Sequence, residues 1–223
     1  MISKRGHPIF AAVYDRLIRG AERRFLGPHR VWLTTGLTGR ILVVGCGTGL
    51  DFGHFSPFVD LVAVDPDPYM LRRALARARA LDRRVELIEA GAEALPFRGG
   101  LYDAVVATLV LCTVSDLGES LGEMRRVLRP EGALRFFEHV RSPSPGWARF
   151  QDAVTPLWKR IGGGCHPNRD TVAAIERGGF RIVELERYAK GPYPVRVFVR
   201  GVAVRSDSVG ARYSTRLPAG SSK

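Results

Sequence analysis

Apolar residues fall along this chain in short apolar-rich runs, and between the runs they recur every three or four positions. The runs are residues 41–44, 61–64, 85–88, 102–109 and 133–140, the last three carrying single polar residues such as Glu86, Asp103, Arg135 and Glu138. Runs of this length, closed by glycine or charged residues, predict strands buried on both faces. Between the second and third runs, Leu71, Ala74, Leu75, Ala78 and Leu81 share one face of a predicted helix over 68–81, with Arg72, Arg73, Arg77 and Arg79 elsewhere. Leu117, Leu121, Met124 and Leu128 mark a second helix over 117–128. Strands alternating with helices predict a parallel sheet, and right-handed crossovers make it doubly wound.

Outside these five runs the pattern differs. Residues 9–25 read as an amphipathic helix with Phe10, Val13, Leu17, Ala21 and Phe25 on its apolar face, so residues 1–36 are expected to form a helical cap. After the fifth strand, 143–146 is a turn and 147–161 a helix expected to kink at Pro156; Gly162-Gly163-Gly164 is a break. Asn168 or Asp170 caps a helix that runs to Arg177, and Gly178-Gly179 ends it. Residues 180–188 and 195–204 are two closing strands joined by Gly191-Pro192, with the last read as an edge strand with one wetter face because Val195, Val197 and Val199 alternate with Arg196 and Arg200. The expectation is one domain over 1–204, with an acceptor-side insertion over 143–170 and a flexible Ser, Gly and Arg tail over 205–223.

Composition narrows the class. The chain has 223 residues, 45% hydrophobic and 25% charged, an ordinary globular balance. No run reaches the roughly 18 apolar residues of a membrane span, and the opening segment lacks a signal-peptide core; a cytoplasmic location is expected. The net charge is +12, with arginine in all but four of the basic positions. A nucleic-acid or anionic-lipid surface is one reading. A solvated arginine-rich surface is the preferred one, because aromatic residues are not interleaved as stacking platforms; nucleic acid is not expected as a partner. Three scattered cysteines, Cys46, Cys112 and Cys165, suggest neither a disulfide framework nor a zinc site by spacing, and no metal is expected.

The densest chemical signal is Gly45-Cys46-Gly47-Thr48-Gly49 straight after the first strand, with Asp65 closing the second, about 20 residues on. Glycines at such a turn admit a ligand close to the backbone, and the carboxylate suits two ribose hydroxyls. A nucleoside site follows. The third glycine of the dinucleotide fingerprint is missing, and no P-loop sequence occurs, which disfavours NAD and excludes a P-loop.

These residues resemble those of the class I S-adenosylmethionine-dependent methyltransferases. Three further stretches fall in the family's order: Ala90 to Phe97 is similar to its adenine loop, Tyr102 to Val106 to its fourth strand, and Arg126 to Ala133 to the helix, turn and fifth strand after it. Phe137-Glu138-His139-Val140 and the segment from Gly164 to Asp170 resemble the branch containing alkyl thiol methyltransferases, and quinone C-methyltransferases look similar through the cofactor half. The resemblance implies a mostly parallel, seven-stranded Rossmann-like sheet with an antiparallel last strand, and S-adenosyl-L-methionine as cosubstrate. It assigns Gly45, Gly47, Thr48 and Gly49 to the methionine end, Asp65 to the ribose, the Ala92 backbone to adenine and Thr108 to the cofactor side of the fourth strand, with Cys46, Pro66, Gly91, Glu93 and Leu109 as further cofactor-binding candidates, Cys46 having simple filling between two glycines as its plain alternative. Two departures stand out. Val43 occupies the place of a usual acid, and Gly91 that of a usual polar residue, which Glu93 is expected to cover in part.

A sulfonium methyl is already activated, so the protein must mainly align a nucleophile, exclude water and take up a proton. His139, ending the fifth strand, is the candidate base; a strand-closing polar residue is its plain alternative. Tyr14, Trp158, Cys165 and His166 are candidate acceptor contacts. For Trp147, Phe150, Leu157 and Trp158 core packing is the default, and a lid over a lipophilic acceptor the alternative. The expected reaction is methyl transfer to a small lipophilic acceptor, a thiol first. The alternatives are a quinone or lipid methyltransferase, or a non-catalytic RNA- or membrane-binding protein on the same fold.

Overall fold

A strand buried on both faces can satisfy its N–H and C=O groups only against neighbouring strands, so the apolar runs must pair with one another. In the computed structural model, which describes residues 7–191 and 193–208, they become β1 (Arg40–Val44), β2 (Asp60–Asp65), β3 (Glu86–Glu89), β4 (Tyr102–Thr108) and β5 (Leu128–His139). The closing strands are β6 (Phe180–Ala189) and β7 (Val197–Arg205). The sheet order is β3-β2-β1-β4-β5-β7-β6. β1 to β5 run parallel, and β7 runs antiparallel to both β5 and β6. The strand order reverses between β1 and β4, where open α/β sheets leave a crevice beyond the carboxyl ends.

Alternation along each strand splits the interior into two cores. Leu42, Val44, Val62, Val64, Val105, Ala107, Leu134 and Phe136 face one side, under Leu121, Met124 and Val127 of α4 (Leu117–Val127) and Ile175 of α6 (Thr171–Arg177). Ile41, Val43, Leu61, Ala63, Val106 and Phe137 face the other, under Leu33 of α2 (Gly27–Thr34) and Ala74 and Ala78 of α3 (Pro68–Ala80). The remaining helices are α1 (Pro8–Ala21) and α5 (Pro145–Ile161). Asp67, Asp116 and Asp170 cap α3, α4 and α6 through their carboxylates, which settles the cap of α6 in favour of Asp170 over Asn168.

Besides β3, which lies at the edge of the sheet with none of its residues buried rather than covered on both faces, four sequence expectations are corrected. First, β7 is not an edge strand: it lies between β5 and β6. Its Arg200 is absorbed by an ion pair to Glu186 of β6 at 2.8 Å and by the Trp32 ring, 4.5 Å away. Second, α1 does not bury the expected apolar face. Val13 and Leu17 are exposed, Leu17 by 69%, while Ala11 is buried and Tyr14, Asp15 and Ile18 are half-buried. The polar contacts of Asp15 described below decide which side of the helix turns inward. Third, the N-terminal helix does not stop at Phe25. It passes through a π-turn over Glu22–Leu26 into α2, an i→i+5 step that accommodates Pro28, which lacks an N–H. Fourth, the apolar residues of α5 are not core. Trp147, Phe150 and Leu157 are exposed, Leu157 by 64%, and Ala148, Gln151 and Thr155 are the buried ones. The tail beyond Ser208, and Pro192 of the last turn, lie outside the described residues.

Candidate active site

The glycine loop is shaped by its backbone. Gly45, Gly47 and Gly49 have φ of +62°, +54° and +77°, a region side chains rarely adopt. A Cβ at Gly45 would stand 2.4 Å from Val110 Cγ2 and one at Gly49 2.5 Å from Phe52, whereas one at Gly47 meets no described atom within 4 Å. Two of the glycines are therefore demanded by close packing. Gly47 instead faces open space at the sheet's switch point.

Asp65 ends β2 beside this loop, buried. One of its oxygens accepts the Gly47 N–H at 2.8 Å and the other the Asp67 N–H at 2.9 Å. Burial raises its carboxyl to about 6, against the lowering effect of those two bonds. The Asp67 carboxylate also accepts the His7 N–H, and Pro66 is exposed. Thr48 is buried, and its hydroxyl donates to Asp15 at 2.6 Å; Asp15 also pairs with Arg77 at 2.5 Å. These bonds fasten α1 over the glycine loop. Cys46 is buried in the core on the α2–α3 side.

A charged cluster missed by sequence reasoning supports the cap. Arg30 is buried between Asp51 at 2.8 Å and Glu22 at 2.9 Å, which ties the N-terminal helices to the residue just after the glycine loop. Tyr14 lies among Arg30, Glu22, Asp51 and Asp15, and burial raises its phenol above the ordinary value. Asp51, two positions past Gly49, was the visible hint, since a carboxylate this close to such a loop has to be satisfied somewhere.

At the end of β4, the Thr108 hydroxyl is buried without a hydrogen-bond partner among the described residues, and Leu109 takes a positive φ of 59°. Both abnormalities fall where a nucleoside ligand would approach the sheet. Ala92 is buried. Glu93 Oε1 accepts the N–H groups of Ser115 and Asp116, so this oxygen holds the loop after β4, while Oε2 lies on the side of Gly91.

The acceptor side gathers residues from three elements. Glu138, fully buried in β5, accepts the backbone N–H groups of Val110, Leu111 and Cys112 at 2.9, 2.9 and 3.2 Å, and burial raises its carboxyl to about 7 against those bonds. A carboxylate inside a strand expected to be buried on both faces was a legible sign of such a role. Its neighbour His139 is half-buried, with its ring 4.5 Å from that of Phe198. His139 Nδ1 lies 3.8 Å from the Cys112 sulfur and 3.7 Å from the Cys165 sulfur. The Cys165 thiol is lowered to about 5, first by its hydrogen bond with Cys112 and further by His139 and Trp158. The Cys112 thiol is raised by that same bond and by burial.

The glycine break carries Cys165 to this position. His166 N–H donates to the Cys112 carbonyl at 2.7 Å, and Arg169 donates to the carbonyls of Leu111 and Val114 at 2.7 and 2.6 Å. Gln151 of α5, buried, donates to the Pro167 and Pro194 carbonyls and accepts from Ser142 N–H. His139, Cys165 and Trp158 are thus brought together, with His166 beside them. Tyr14 lies apart, under the cap.

A doubly wound sheet with a glycine cradle at its switch point, an acid closing β2 and few proton-transfer groups defines a class I S-adenosylmethionine-dependent methyltransferase. Residues 42–136 match the methyltransferase-domain family. The fold is similar to that of the YcgJ protein from Bacillus subtilis, with a TM-score of 0.64 at 16% identity over 81% of this chain and 97% of that one. It is also similar to a SAM-dependent methyltransferase from Aquifex aeolicus, with a TM-score of 0.59 at 18% identity over 89% of this chain and 98% of that one. In sequence, the chain is 32% identical to human thiol S-methyltransferase TMT1A over 205 residues, 88% of this chain and 83% of that protein. It is 38% identical to human thiol S-methyltransferase TMT1B over 159 residues, 69% of this chain and 65% of that protein, just under two thirds of its length. A ubiquinone/menaquinone biosynthesis C-methyltransferase from Dinoroseobacter shibae is 33% identical over 60% of this chain and 61% of its own. The chain belongs to the thiol S-methyltransferase family that includes TMT1A and TMT1B. Among the described residues no helix is long and apolar enough to cross a membrane.

Proposed function

We propose that this protein transfers the methyl group of S-adenosylmethionine to the sulfur of a small thiol. The observation that carries this reading is the meeting of Cys112 from the loop after β4, His139 from the carboxyl end of β5 and Cys165 from the glycine break. Gly47 leaves room for the methionine end, Asp65 presents its carboxylate for the ribose, and the Thr108 hydroxyl, without a partner among the described residues, is available to the same ligand. When bound, S-adenosylmethionine supplies an activated methyl group. The chain's own residues close the cap over it through Asp15 and Thr48, exclude water, and hold the acceptor sulfur on the His139 side as a thiolate.

Cys165 and Trp158 line that side, and residues 143–170 carry the contacts that select the acceptor. The match to TMT1A and TMT1B favours a thiol over a quinol. The test is transfer of radiolabelled methyl to a panel of alkyl thiols, phenols and quinols. Thiols are expected to be methylated first, and His139→Gln to lower kcat with little change in the affinity for S-adenosylmethionine. Transfer to quinols with none to thiols would refute the acceptor assignment.

A further inference from the structure

We propose that Cys112, His139 and Cys165 form a binding site for one thiophilic divalent cation of the zinc type, whose open fourth position takes the acceptor sulfur. The three donors come from the turn after β4, the end of β5 and the glycine break after α5, separated by 27 and 26 residues, so no ligand spacing is visible in the sequence. Their donor atoms all lie within 4.8 Å of one another. Around a tetrahedral zinc with bonds of about 2.3 Å to sulfur and about 2.0–2.1 Å to nitrogen, the sulfur–nitrogen edges come to roughly 3.5 Å. The observed edges are 3.7 and 3.8 Å. The sulfur–sulfur edge, within 4.8 Å, needs about 3.8 Å around the same ion, so a cation fits between the three atoms with side-chain shifts of up to about an ångström.

The scaffold holds each ligand in place. The Cys112 N–H is bonded to Glu138 and its carbonyl to the His166 N–H, the His139 ring rests on Phe198, and Cys165 N–H donates to the Gly162 carbonyl. Two thiolates and one imidazole neutralise a divalent cation and leave one position open, the arrangement of a catalytic rather than a structural zinc. The chemistry of that position rests on the thiol reading above; the site itself does not. A thiol entering it releases its proton to solvent and binds as a thiolate. The sulfur lone pair then forms a bond to the methyl carbon as the bond from that carbon to the sulfonium sulfur breaks. The sulfonium's electron pair stays on S-adenosylhomocysteine, and the product thioether, a weaker ligand, leaves.

The test uses the full chain, reduced with a phosphine and stripped of metal, with its three thiols counted before titration with Co²⁺. One equivalent is expected to produce a thiolate-to-cobalt charge-transfer band and intense tetrahedral d–d bands. Cys112→Ser and Cys165→Ser should each weaken binding by at least about tenfold. Adding 2-mercaptoethanol should strengthen the charge-transfer band as a third thiolate binds. Calorimetric binding of S-adenosylmethionine by the same variants shows that the cofactor half is intact. Absence of cobalt bands in protein with three free thiols that binds S-adenosylmethionine would overturn the metal site while leaving the methyltransferase reading standing. Bands that do not respond to the added thiol would overturn the open position. An S-methyltransferase reading fails separately, on loss of methyl transfer to thiols.

Discussion

Alanine at position 47 separates what the glycine loop does for the fold from what it does for the ligand. Gly47 holds φ of +54°, and a methyl group there meets no described atom within 4 Å, so the free protein bears only the cost of a left-handed backbone, ~1–2 kcal/mol. For a chain of this size that lowers Tm by roughly 2–8 °C. The backbone N–H that reaches Asp65 is retained. Gly45→Ala is the contrast: its Cβ would stand 2.4 Å from Val110 Cγ2 and 2.9 Å from Cγ1, adding an overpacking cost of ~1–3 kcal/mol. If the space before Gly47 is the cradle for the methionine end of the cosubstrate, the new methyl group occupies it, and affinity should fall at least about tenfold, ~1.4 kcal/mol. Thermal unfolding with and without S-adenosylmethionine, paired with calorimetric titration, measures both effects. Gly47→Ala should unfold a few degrees early and gain little from the ligand. Unaltered affinity in this variant would refute the placement of the cosubstrate.

Thr108→Val removes a buried hydroxyl without a partner among the described residues, so the free protein should be as stable or up to ~1 kcal/mol more stable, while binding of S-adenosylmethionine weakens; unchanged calorimetric affinity would show that the hydroxyl has no ligand role. Arg30→Met leaves Asp51 buried and Glu22 half-buried without their cation and should cost ~3–5 kcal/mol in urea unfolding; a loss below 1 kcal/mol would show that the cluster does not fasten the cap. Glu138→Gln keeps one acceptor oxygen for three N–H donors and should cost ~1–3 kcal/mol. The Glu138 carboxyl rises from 4.5 in the unfolded chain to about 7 in the fold, so between those values the native state binds more protons and stability falls as pH rises. The urea midpoint of the wild type should therefore decline more steeply than that of Glu138→Gln across this window, and parallel pH profiles would contradict the shift.

The apolar-rich runs and the helical repeats between them were sufficient for the doubly wound sheet, because strands in the interior of a sheet leave a local signature in hydropathy. The glycine loop and Asp65 were legible for a similar reason: the turn, the positive φ values and the spacing to the next strand end are set within about 20 residues. Choices that depend on what packs against an element were not local. Alternating Val and Arg in β7 reads as an edge strand until Glu186 and Trp32 are seen to absorb Arg200. The inward face of α1 was decided by Asp15 reaching Thr48 and Arg77, against the helix's own apolar stripe. Glu138 was visible as a charge in a buried strand, but not its three N–H partners. Cys112, His139 and Cys165 share no spacing pattern in the chain. Only the parallel ordering of β4 and β5 and the docking of the glycine break onto the loop after β4 bring two sulfurs within 4 Å of one imidazole nitrogen, since chain folding, not sequence separation, fixes distances between strand ends.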